Sequence, residues 1–178
     1  MQFLAISGSL RAASTNRSLL RAAAVLAPED VTVNFYDELG DLPPFNPDLD
    51  NSVPPRSVDR FRLQLRSAAG VIISTPEYAH GVPGVLKNAL DWLVASGELY
   101  EKPVALFSAS PRANYAHASL VETLTVMTAR IVSEACLVLP LIGKNLDKYG
   151  IIAEPHMSRT IRTALIAFSQ ATSLQEQR

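Results

Sequence analysis

The sequence predicts an open α/β fold, a parallel sheet with helices on both faces, and three observations carry that reading. Short runs rich in Val, Ile and Leu recur along the chain, the pattern of strands buried on both faces. Between them lie longer stretches with apolar residues every three or four positions, each the stripe of an amphipathic helix. Hydrophobic residues make up 48% of the 178 and charged residues 19%, which is a globular and not a disordered balance. A chain of this length is expected to form a single domain over 1–178 and to bury about 70% of its unfolded surface.

The strand candidates, in order, are 3–6, 31–33, 70–73, 104–107 and 136–139. Leu19, Ala23 and Leu26 form the first helical stripe, and Val58, Phe61, Leu65 and Ala68 the second. The third runs through Leu86, Ala89, Leu90 and Leu93, with a helix expected over 85–96. Leu120, Leu124 and Met127 make the fourth, and Ile161, Leu165 and Phe168 the last. Strict alternation of strand and helix implies right-handed crossovers. Residues 37–56 break the rhythm with five of the twelve prolines and are expected to form an ordered surface loop.

Several partner classes are disfavoured. Sixteen Lys and Arg against seventeen Asp and Glu give a net charge of −1, with no electrostatic case for nucleic acid or an anionic membrane. The longest apolar stretch, near 135–143, is far short of the ~20 residues a membrane span needs. The N-terminus has no basic head and no long apolar segment, so no signal peptide is expected. Cys136 is the only cysteine, which excludes an internal disulfide, suits a reducing cytoplasm and reads as a buried core residue. His80, His117 and His156 lack ligand spacing, and no metal site is expected.

In open α/β sheets ligands bind beyond the carboxyl ends of the strands, so the loops after strands one, three and four are the ones to inspect. The first, Ser7-Gly8-Ser9-Leu10-Arg11-Ala12-Ala13-Ser14-Thr15-Asn16, is neither a dinucleotide fingerprint nor a Walker A loop. Its hydroxyls, amide and guanidinium at a helix start suit an anion such as phosphate. They equally suit a plain helix start, with Ser14 or Thr15 as N-cap and Arg11 as a solvated charge. The second, Ser74-Thr75-Pro76-Glu77-Tyr78-Ala79-His80-Gly81-Val82-Pro83-Gly84, is rigid and offers an aromatic and exposed peptide groups to a flat heterocycle. Tyr78 packing on a neighbour, Glu77 as a solvated turn residue and His80 as an exposed loop residue are the plainer readings. Lys87 and Asp91 have the spacing of a helix-surface ion pair.

Together the two loops resemble the NAD(P)H-dependent FMN reductase family. The pattern G-S-x-R-x-x-S-x-N is met by Gly8, Ser9, Arg11, Ser14 and Asn16. The pattern P-E-Y-N-x-x-x-P-G-x-L-K-N-A-x-D-W is met by Pro76, Glu77, Tyr78, Pro83, Gly84, Leu86, Lys87, Asn88, Ala89, Asp91 and Trp92. Ala79 stands in the place of that pattern's Asn, next to His80. The resemblance implies a flavodoxin-like three-layer sandwich whose five-stranded parallel sheet has order 2-1-3-4-5. It implies FMN as cofactor, with Ser9, Arg11, Ser14, Thr15 and Asn16 around its phosphate. Pro76, Glu77, Tyr78, Ala79 and His80 would lie along the isoalloxazine, joined by Ser108 and Ser110 of the loop after strand four. That loop continues Arg112-Ala113-Asn114-Tyr115 where relatives carry a glycine pair.

The implied activity is transfer of hydride from NAD(P)H through bound FMN to a quinone or similar small acceptor. No side-chain catalyst is required, because the flavin carries the chemistry. A flavodoxin-like electron carrier, or a reductase using free FMN as substrate, are the alternatives; a pI near 6.3 is less acidic than carriers of that kind tend to be. The resemblance further implies a homodimer or homotetramer.

Overall fold

The computed structural model describes residues 1–176; the last two residues of the expected domain lie outside it. Five parallel positions make the sheet, in the order β2-β1-β3-β4-β5, with β6 also on β4. The strands are β1 (Gln2–Ser7), β2 (Thr32–Tyr36), β3 (Gly70–Ser74), β4 (Pro103–Ser108), β5 (Arg130–Ile131) and β6 (Leu137–Val138). The helices are α1 (Thr15–Leu26), α2 (Arg56–Ser67), α3 (Gly84–Asp91), α4 (Asn114–Val126), α5 (Lys148–Ala153) and α6 (Pro155–Glu176).

Alternation along the strands builds two cores. Phe3, Ala5, Ile72, Ala105 and Phe107 pack under α1, α5 and α6 with Leu19, Leu20, Ile161, Leu165 and Phe168. Leu4, Ile6, Val71, Ile73, Val104 and Leu106 face α2, α3 and α4 through Val58, Phe61, Leu86, Leu90 and Leu120. Every residue of β3 is buried, which is why this strand reads as one continuous apolar run. Register is in step across the centre: Ser7 pairs with Ser74, so β1 and β3 end level and their loops leave side by side.

Three expectations are corrected. The fifth strand is two short pieces: Arg130 and Ile131 pair with Pro103 and Val104, and Leu137 and Val138 with Phe107 and Ser108. A 3-10 turn at Ser133–Ala135 interrupts it, and there the Cys136 thiol takes over from the missing backbone by accepting the Leu106 N–H at 3.3 Å. Cys136 is therefore half-buried at a seam and not a buried core residue. The third helix ends at Asp91 and gives way to turns: the Leu93 and Val94 N–H groups bond the carbonyls of Leu90 and Asp91, three residues back, and the Trp92 carbonyl accepts from the buried Arg62 guanidinium at 2.5 Å. The short helix α5 carries no apolar stripe long enough to be seen in the sequence.

The loop at 37–56 is ordered and docked on α3. Asn88 donates to the Pro43 carbonyl and accepts the Phe45 N–H, while the Trp92 indole N–H shares the Pro43 carbonyl at 2.9 Å. Phe45 meets the Trp92 ring edge-on at 5.1 Å. Thus Asn88 and Trp92 of the second motif are structural: they hold the proline-rich loop. Lys87 and Asp91 form the expected surface pair, 2.6 Å apart.

Candidate functional site

A cavity of about 410 Å³ opens at the carboxyl ends of β1, β3 and β4, within the usual size of a small-ligand site. Ser9, Arg11, Ser14, Thr15, Asn16, Pro76, Glu77, Tyr78 and Ser110 line it, nine of the residues singled out in the sequence. The wall is completed by Thr75, Ala109, Arg112, Ala113, Ile142 and Gly143.

The first loop is built by its own hydroxyls. The Ser7 hydroxyl accepts the Ser9 N–H and donates back to its carbonyl, both at 3.3 Å, and the Ser9 hydroxyl accepts the Arg11 N–H at 3.4 Å. Ser14 is the N-cap of α1, accepting the Arg17 N–H at 3.5 Å, and it also lines the cavity. The N–H groups of Thr15 and Asn16 open the helix without intrahelical partners. Asn16 spends its carbonyl oxygen on the Ser74 hydroxyl at 3.0 Å, which locks α1 to the end of β3 and leaves its NH2 group to the cavity. Gly8 is glycine for a packing reason: a Cβ there would come within 2.3 Å of the Thr75 hydroxyl.

The second loop is a two-residue hairpin. Tyr78 and Gly81 exchange both backbone hydrogen bonds at 2.9 Å, and the central residues Ala79 and His80 have φ of 47° and 61°. Neither Ala79 nor His80 lines the cavity. His80 instead stacks on Tyr115 of α4, ring centroids 4.1 Å apart. Tyr78 is 52% exposed on the cavity wall and is not packed away on a neighbour. Glu77 is no solvated turn residue: its carboxylate accepts the Ala116 N–H at 2.9 Å.

The third loop repeats the first. The Ser108 hydroxyl accepts the Ser110 N–H and donates to its carbonyl, while the Ser110 hydroxyl accepts the Arg112 N–H at 3.1 Å. Ser108 shapes this turn and does not line the cavity. Nor do residues of the 37–56 loop. Ile142 and Gly143 reach the wall because the Leu139 and Leu141 N–H groups bond the carbonyls of Ser108 and Ala109. Nothing in the sequence marked them except the turn glycine, at φ +81°. Arg112 had a signal: S-x-S-x-R at 7–11 recurs at 108–112.

Charge in the cavity is sparse. Arg11, Arg112 and Glu77 are the charged residues lining it. Among the described residues no cluster of His, Cys, Asp and Glu is placed to hold a metal ion, and no helix is long and apolar enough to cross a membrane.

Fold and site thus define an open α/β protein of flavodoxin-like topology, with a cleft at the carboxyl edge of its sheet. Residues 1–142 match the family described as NADPH-dependent FMN reductase, and the chain belongs to that family. It is 42% identical over 113 residues to a quinone reductase of Pseudomonas putida, a match covering 61% of this chain and 59% of that one. A 2-hydroxy-1,4-benzoquinone reductase of a Burkholderia species is 44% identical over 92 residues, 52% of this chain and 49% of the relative. The match therefore spans about half to three-fifths of the length of these relatives. In fold it is similar to the flavoenzyme NAD(P)H:(acceptor) oxidoreductase FerB of Paracoccus denitrificans, with TM-score 0.78, 24% identity and 97% of each chain covered.

Proposed function

We propose that this chain, as a single domain, is an FMN-containing oxidoreductase that passes hydride from NAD(P)H to a quinone or similar small acceptor. The observation that carries the proposal is the joining of both motif loops in one cavity. The donor set suits FMN. Hydroxyls of Ser9, Ser14 and Thr15, the Asn16 amide, free helix N–H groups and Arg11 converge at one end, which suits a phosphate. Pro76, Tyr78 and Ser110 line the same space and suit a flat ring with polar edges. FMN, when bound, supplies the redox chemistry.

The protein's share is then to bind and orient. Glu77 fixes the wall by tying the hairpin to α4, and Asn16 fixes the phosphate end to β3. The family and the quinone reductase relatives support this assignment. A homodimer or homotetramer and a cytoplasmic location belong to the same proposal, the first supported by exposed apolar side chains such as Val94 and Tyr100. The test is direct. Purified protein reconstituted with FMN should oxidise NADH or NADPH when a quinone is added, and no turnover with either nicotinamide would overturn the reading.

A further inference from the structure

Two S-x-S-x-R segments flank the cavity. Ser7-Gly8-Ser9-Leu10-Arg11 follows β1, and Ser108-Ala109-Ser110-Pro111-Arg112 follows β4. Both strands are parallel neighbours of β3, so the segments leave the same sheet edge on either side of the β3 loop. Their hydrogen bonds correspond one for one: first hydroxyl to second serine N–H, second hydroxyl to arginine N–H. Each arginine lines the shared cavity, and neither guanidinium has a hydrogen bond or ion pair with another described residue. Among the described residues Glu77 is the only acid lining the cavity, and its carboxylate accepts the Ala116 N–H.

We infer that Arg112 is the anion-recognising residue for the second ligand, taking a phosphate oxygen of the nicotinamide dinucleotide while Arg11 takes that of FMN. This inference rests on the function just proposed. A cavity holding FMN already contains a phosphate dianion. A dinucleotide brings a second anionic group into the same small space, where repulsion is weakly screened. A second cation offsets that repulsion, and Arg112 is the one lining residue that supplies it. A neutral quinone needs no such partner. Arg112 therefore separates the two ligands that use the site in turn: it draws in the reductant and is indifferent to the acceptor.

The experiment titrates FMN-loaded wild type, Arg112→Gln and Arg112→Lys with NAD⁺ and NADP⁺ by calorimetry, and titrates each apoprotein with FMN in parallel. Arg112 is exposed, so both variants should melt with the wild type. Loss of one charge-assisted contact should weaken dinucleotide binding by roughly 10- to 100-fold in Arg112→Gln. Arg112→Lys should recover part of it, and FMN affinity should stay within about twofold throughout. Loss confined to NADP⁺ assigns the 2′-phosphate, and equal loss of both assigns the diphosphate; either result supports the inference. Dissociation constants within about twofold of wild type for both dinucleotides would overturn it. So would a parallel loss of FMN affinity, which would move Arg112 into the flavin's own site. Failure of wild type to bind FMN at all shows in the first titration, and overturns the functional reading before any dinucleotide is added.

Discussion

Glu77 accepts the backbone N–H of Ala116 at 2.9 Å, so the loop after β3 caps the helix that follows β4. The helix has no cap of its own, since Ala113 at its N-cap position carries no acceptor. A carboxylate at that end also meets the positive pole of the helix dipole. With His80 stacked on Tyr115 a few residues away, hairpin and helix form one wall.

Replacing Glu77 with Ala should cost about 1 kcal/mol, the usual loss of an N-terminal cap. Faster amide exchange at Ala116 would locate the loss. Glu77→Gln keeps an acceptor and gives up only the charge, so it should fall between the two by a few tenths of a kcal/mol.

Arg11→Ala should weaken FMN binding by about 10- to 150-fold, or roughly 1.5–3 kcal/mol for one charge-assisted hydrogen bond. Fluorescence titration of FMN reads this directly. Arg11 is exposed and unpaired, so the apoprotein should melt unchanged.

The hairpin turn offers a stabilising change. Ala79 holds φ of 47°, where a Cβ is strained and glycine is not. Ala79→Gly should raise stability by about 0.5–1 kcal/mol net of the glycine's extra chain entropy, shifting Tm up by roughly 1–4 °C. Thermal melting checks it.

Stability should fall between about pH 10 and 12 because of Tyr36. Burial, helped by the nearby Glu38 carboxylate, pushes its hydroxyl up from 10.0 to about 12. Below pH 10 the phenol is protonated folded or unfolded. Between the two values only the unfolded chain ionises, so the unfolded state gains, by about 2–3 kcal/mol in all. Tyr36→Phe should abolish that slope in urea melts across the range. It should be at least as stable at pH 7, since the hydroxyl is buried without a partner.

Cys136 supplies an acceptor and not reactivity. Burial raises its thiol from the usual value, so maleimide labelling of the native protein should be slow. Cys136→Ala strands the Leu106 N–H and should cost about 1–3 kcal/mol, whereas Cys136→Ser retains an acceptor and should cost less. Denaturant unfolding of the pair distinguishes the two.

The sheet centre was legible because β1, β3 and β4 are buried on both faces, and a run such as Gly70-Val71-Ile72-Ile73 has no other use. The helices were legible where one face met the core over three turns, as in α1 and α6. The end of α3 was not. There the backbone tightens to bonds three residues apart, and the segment is held by Arg62, thirty residues earlier, at the Trp92 carbonyl. In the site, residues on the two motif loops came from local spacing, while Ile142 and Gly143 arrive by the path of the chain past β4. Ala79, His80 and Ser108 share those loops with the lining residues but do not line the cavity: Ala79 and His80 form the left-handed turn, and Ser108 bonds the Ser110 backbone.

The broken fifth strand also leaves little at this margin of the sheet for a foreign strand to pair with. A long straight strand at a sheet margin offers a row of open amide groups on which a foreign strand can assemble, the first step towards aggregates. Here that margin is cut into two pairs of residues by the turn at Ser133–Ala135, with the charged Arg130 on the first pair. Neither piece is long enough to recruit a neighbour. Straightening this margin, by deleting the turn so that one unbroken strand lies on β4, would present such a row and favour fibrous association.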